Sequence, residues 1–272
     1  MQPARTTTLQ QQLFPAADTY TLYEQPLNER MRCLLRLEHL FQAIAESMSR
    51  ETPWDARNAI AGMIDVTDQL TRADIKGELI KELERHASIV GGLRNNPGVN
   101  QTTLELTLAR LEPLLTLLKS NACQPGAKLR QSDLITQVRQ RLAIPGGVCS
   151  FDLPGFHHWL NGSPESRAEQ LNDWMEDLRI IEDAVHITLK LVRESAVPHK
   201  ETAANGFYQR NLDASAACQI VRVIVADTDQ TFPEISGGKH RFTVRFLRYT
   251  AQCARPQQTS DTIRFELQVC GL

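Results

Sequence analysis

From Asn28 to about Ser195 apolar residues return every three or four positions, and beyond Pro198 they return every second one. The first spacing belongs to helices burying one face, the second to strands burying one side. The predicted architecture is therefore α+β: an N-terminal, mostly helical domain (residues 22–197) followed by a small C-terminal antiparallel β-sheet domain (198–272). Residues 1–21 are polar, Gln/Thr-rich and aperiodic, and read as a flexible N-terminal extension.

Met31, Leu34, Leu35, Leu37, Leu40, Phe41, Ile44 and Met48 predict a first helix from about Asn28, with Arg32 and Arg36 on its more polar side. Ile60, Met63, Ile64 and Thr67 predict a second, from about Trp54 to Leu70. Ile75, Leu79, Leu83, Ala87 and Val90 mark a third, ended by Gly91 and Gly92. Asn100 is placed to cap a leucine-rich fourth, which Pro113 should bend or interrupt. Further helix is expected over Ser132–Ala143, Phe156–Leu160, and from the Ser163-Pro164-Glu165 start to about Ser195 with a break. Strands are predicted at Cys218–Ala226, His240–Tyr249 and Thr262–Val269.

Charge changes the picture in one place. The whole chain carries a formal net charge of −2, which argues against a general nucleic-acid or membrane-surface binder. Yet between Glu234 and Asp261 there are 26 residues with five basic side chains and no acidic one. Within that run Phe242, Val244 and Phe246 face one way while Arg241, Thr243 and Arg245 face the other. The two arginines would stand about 13 Å apart on one surface. Such a pair suits an extended acidic ligand; the competing reading is a solvated face with ordinary ion pairs.

Catalytic chemistry is hard to assemble. The six cysteines are scattered without a Cys-x-x-Cys pair, so neither a secreted disulfide framework nor a zinc site is expected, and no cofactor. With no long apolar run and no signal-like start, the chain reads as a cytosolic protein with reduced thiols. Gly237-Gly238-Lys239 lacks Walker spacing and reads as a hairpin turn with glycines at positive φ. Cys149 reads as a small buried thiol, His157, His86 and His186 as structural or surface histidines, and Glu78, Glu82 and Glu84 as a solvated helix face. The stretch KHRFTVRF interleaves basic and aromatic residues, so nucleic-acid binding through 239–249 stands as the alternative function. It ranks below protein binding, because the phenylalanines share the face opposite the arginines and should fill the core.

Five blocks, LYEQPLNERMRCLLRLEHL, KGELIKELER, VRQRLAIPGGVCSFDLPGFHHWL, NGFYQ and PEISGGKHRFTVRF, occur in the order in which they closely resemble the ZapD cell-division family. The resemblance runs from about residue 22 to the C-terminus, weakening at the end. It implies a non-enzymatic cytosolic protein of the midcell division ring, a homodimer with a helical and a β domain. Such a dimer binds the C-terminal tail of FtsZ and crosslinks FtsZ filaments into bundles, stabilising the ring during septum formation.

By position, the resemblance implies tail recognition by Lys239, Arg241 and Arg245, and by Arg72 ahead of the KGELIKEL helix. It ties Arg32, Arg36 and His157 to filament bundling. Asp133 stands where relatives can carry a basic residue, so a contact there is absent or replaced by Arg130. For Arg32 and Arg36 the competing reading is pairing with Glu29 and neighbouring acids, and for Arg72 it is helix capping. Arg241 and Arg245 have the strongest claim because no acid lies near them in sequence. The helical domain, with more apolar face than a single sheet covers, is the expected dimer interface.

Overall fold

The computed structural model describes residues 20–72, 74–213, 217–226, 231–249 and 255–271. The extension expected over 1–21 therefore lies, up to residue 19, outside the described residues. The chain divides into two compact units: Glu29–Arg193, and a second joining the segment before Glu29 to Glu194–Gly271.

The helical unit contains α1 (Glu29–Met48), α2 (Pro53–Arg72), α3 (Ile75–Gly92), α4 (Gln101–Lys119), α5 (Ala127–Gln131), α6 (Asp133–Leu142), α7 (Pro154–Leu160), α8 (Pro164–Glu176) and α9 (Arg179–Glu194). Its core comes from the stripes the spacing predicts: Met31, Leu34, Leu37, Phe41 and Ile44 of α1 are buried against α2, which buries Ile60, Met63 and Ile64. The short helix α5 had no periodic signal.

Starts are set by polar caps that accept otherwise orphaned backbone N–H groups. Asp74 accepts from Gly77 N, Asn100 from Thr103 N, Ser132 from Ile135 N and Ser163 from Ser166 N. Pro113 does not interrupt α4, which runs unbroken through it. Pro113 and Ala109, whose carbonyl it leaves without its intrahelical donor, are both on the exposed side, where water can take the lost bond.

Glu82 departs from the solvated reading. It is 1% exposed, and its carboxylate receives Arg30 from α1 and Arg85 one turn along α3. Beside it His86 is fully buried, with Nε2 3.3 Å from Arg85 Nη2. Burial, reinforced by the Arg85 charge, pushes the His86 imidazole down from 6.5 to about 4. The ring is therefore neutral at neutral pH.

A buried cation organises one end of the unit. Arg167 of α8 is 5% exposed and donates to the carbonyls of Leu160, Gly162 and Glu51. One guanidinium thus joins the end of α7 to the α1–α2 loop. Trp159 stacks on Phe156 of its own helix, centroids 5.9 Å apart, and meets Trp174 of α8 at 5.7 Å in a tilted contact that packs α7 against α8.

The other unit is a pair of antiparallel sheets built from β1 (Tyr20–Pro26), β2 (His199–Ala203), β3 (Phe207–Asn211), β4 (Cys218–Ala226), β5 (Phe232–Gly237), β6 (Arg241–Arg248), β7 (Gln257–Gln258) and β8 (Ile263–Gly271). One sheet has the order β1-β4-β8-β2, the other β3-β6-β5 with β7 also on β6. Val221, Val223, Val225, Phe265 and Leu267 of the first meet Phe242, Val244 and Phe246 of the second in a common core.

Two features differ from expectation here. Residues 20–26, read as extension and the head of the helical region, form an edge strand paired with β4, Tyr20 opposite Ala226 and Pro26 opposite Ile220. Glu24 and Arg222, opposite one another, form a 2.9 Å ion pair that is mostly shielded from solvent. The turn after β5 is a hairpin, closed by Gly238 N donating to Arg241 O, but its glycines do not use positive φ. Gly237 is needed for space, because a Cβ there would come within 2.7 Å of Leu27.

Candidate functional site

Strand β6 alternates as the pattern requires: Phe242, Val244 and Phe246 are buried, while Arg241 and Arg245 are exposed. The buried phenylalanines belong to the core, so they cannot serve as the stacking platform that the nucleic-acid alternative needs. Register places Asn211 beside Arg241, Gln209 and Ser236 beside Thr243, and Phe207 and Glu234 beside Arg245.

At the β5–β6 end of this face an open hollow of about 430 Å³ is lined by Gln209, Ser236, Gly238, Lys239, His240 and Arg241 among others, with no carboxylate among the described residues of its lining. Among the described residues no acidic side chain pairs with Lys239 or Arg241. Donors on Lys239, Arg241 and Gln209, with two backbone glycines that admit close approach, suit carboxylates of an extended chain. His240 and Gln209 join the site through the turn and through β3, neither of which the strand pattern alone points to.

Arg245 is different. It is paired with Glu234 across β5 and β6, and Arg248 is paired with Asp261 at 2.9 Å. The two acids that bound the acid-free run in sequence thus fold back onto it. The expectation that nothing nearby neutralises Arg245 is corrected: its partner is eleven residues away in sequence and directly opposite in the ladder.

The remaining sequence-derived residues lie in the helical unit. Arg72 is exposed in the last turn of α2. Partial burial and neighbouring Asp68 raise the Asp65 carboxyl above its usual range, and the Arg72 charge opposes them. Asp68 itself is paired with Arg139 of α6. Arg32 is paired with Glu29 within α1, whereas Arg36 is exposed on the same helix. His157 is exposed on α7, with the Asn161 amide 3.4 Å from its Nε2. Asp133 occupies the first turn of α6 behind its Ser132 cap, a position where a carboxylate favours the helix dipole. Arg130 is exposed and donates to Pro125 O at 3.0 Å.

A second hollow, of about 550 Å³, opens between α2 and the 146–161 segment, where His157 meets Trp54, Arg57, Val148, Cys149 and Leu160. Trp54 is 68% exposed, and the Arg57 guanidinium carbon lies 5.2 Å from the centroid of its ring. The Cys149 thiol is half-buried and contacts the Asp152 carboxylate at 3.2 Å. Trp54 and Arg57 escape sequence reasoning; the only signal was a tryptophan just after Pro53 with an arginine one turn on. Among the described residues no helix is long and apolar enough to cross a membrane.

Residues 35–245 match the family described as "ZapD: Cell division protein". A ZapD cell-division protein of Methylococcus capsulatus is 40% identical over 251 residues, 92% of this chain and 98% of its own. Those of Dechloromonas aromatica and an Enterobacter species are each 38% identical, over 92% and 93% of this chain and 99% of their own. The chain belongs to the ZapD family of cell-division proteins, which makes it a non-enzymatic division factor.

Proposed function

We propose that the chain acts as a cytoplasmic homodimer at the midcell division ring, where it binds the C-terminal tail of FtsZ and crosslinks FtsZ filaments. The observation that carries this reading is the hollow beside β6, where Lys239 and Arg241 stand exposed with no carboxylate in the lining. Arg241 and Lys239 engage tail carboxylates by charge-assisted hydrogen bonds, and Arg72 supplies a further contact. Arg245 joins them when its exposed pair with Glu234 opens, at little cost.

Single contacts of this kind are weak and salt-sensitive, so bundling depends on valency. A symmetric dimer carries two such sites, and filaments display tails repeatedly, so modest affinity suffices. The helical unit, with Arg32, Arg36 and His157, serves dimer contact and bundling. The test is binding of a fluorescent FtsZ tail peptide to folded Arg241→Glu protein. Loss of binding supports the site; unchanged binding removes it.

A further inference from the structure

The hollow between α2 and the 146–161 segment carries features that the strand site lacks. Its wall is mainly apolar, with Trp54, Val148 and Leu160, yet Arg57 and His157 stand on its rim. Among the described residues its lining contains no carboxylate. Two nearby acids already have partners: Asp55 receives the Thr52 hydroxyl, and Asp152 faces Arg141 and the thiol of Cys149, itself a lining residue. Among the described residues no acidic side chain pairs with Arg57. The volume of about 550 Å³ falls within the range of roughly 300–1,000 Å³ usual for ligand sites.

We propose that this hollow is a docking site for an acidic peptide, holding one apolar side chain against Trp54 and Leu160 while Arg57 binds an adjacent carboxylate. The exposed indole supplies a flat apolar surface, and the guanidinium lying over it is held beside that surface, ready for a charged partner. An all-apolar occupant would leave Arg57 without use, and a basic one would meet its charge. Charge complementarity therefore selects an acidic segment with an apolar anchor. Arg167, by joining the Leu160 and Gly162 carbonyls to the Glu51 carbonyl, holds α7 against the segment leading into Trp54 and fixes the hollow's width.

The site does not depend on the strand reading, and the test keeps the two apart. Binding of a fluorescein-labelled ELDFE peptide is measured by anisotropy on full-chain protein carrying Arg241→Glu, which disables the strand. Saturable binding is expected, weakened at least tenfold by adding Trp54→Ala or Arg57→Glu, with KLKFK failing to bind. Both side chains reach the surface, so the fold should survive, checked by circular dichroism, and Arg57→Gln tests charge loss without reversal. Absence of ELDFE binding, equal binding of KLKFK, or affinity unchanged by both substitutions would overturn the proposal.

Discussion

Glu234 and Arg245 stand directly opposite one another in the β5–β6 ladder with their side chains paired, whereas Arg241, four residues earlier on β6, faces Asn211 and lines an acid-free hollow. The two arginines look equivalent in sequence and are not equivalent in the fold. Arg241→Glu is expected to abolish FtsZ-tail binding, and Arg245→Glu to weaken it less. Glu234→Gln, by releasing Arg245, should strengthen binding about threefold, the scale of an exposed ion pair. Peptide titrations at low salt decide the order, and equal losses for both arginine reversals would contradict it.

The Glu24–Arg222 pair ties β1 to β4; it is mostly removed from solvent and further held by Arg222 donating to Gln268 at 2.7 Å. Removing one partner leaves the other charge poorly solvated. Arg222→Ala should cost about 1–3 kcal/mol, and Glu24→Gln less, because the amide still accepts a hydrogen bond. Chemical denaturation of both variants measures this.

His86 makes stability depend on pH in a defined window. Its folded value of about 4 lies below the ordinary 6.5, so the unfolded chain binds the proton more readily between these limits. Stability is therefore complete above about pH 6.5 and falls as pH drops toward 4, by at most about 3 kcal/mol. Glu82 and Arg85 are the charged side chains beside the ring, 3.6 and 3.3 Å from its Nε2. Denaturant unfolding at pH 7 and 4.5 should show the loss, and His86→Gln should reduce it. An identical pH slope in the variant would exclude His86 as its source.

Arg167 satisfies three backbone carbonyls from one buried guanidinium. Arg167→Ala leaves them without their donor and should cost about 3 kcal/mol or more. Arg167→Lys, with a point charge in place of a planar fork, should recover only part of this. Thermal unfolding measures both.

The longer helices were legible from their periodic apolar stripes, and in α4 and α8 also from the polar caps Asn100 and Ser163, whereas the five-residue α5 has neither signal. The sheet was half legible. Strand β1, YTLYEQP, shows no alternation, and its partner β4 lies far along the chain, Tyr20 pairing with Ala226, so no local pattern announces it. The tight turn at Asn205-Gly206, both residues at positive φ, carries the chain from β2 of one sheet to β3 of the other, a change of sheet that the Asn-Gly pair does not announce. The candidate site shows the same limit. Alternation placed Arg241 and Arg245 on one face, yet only cross-strand register reveals that Glu234 occupies one of them. Glu82 looked like surface because charge alone does not report which neighbours close over it.

The central claim is that FtsZ tails are captured by an exposed cationic strand. The most direct measurement is co-sedimentation with filaments of full-length FtsZ and of FtsZ lacking its C-terminal tail, at low and high salt. The account predicts pelleting and bundling with full-length filaments at low salt, lost on tail removal and much reduced at high salt. Equal pelleting with tail-less filaments, or no pelleting with full-length ones at low salt, would contradict it.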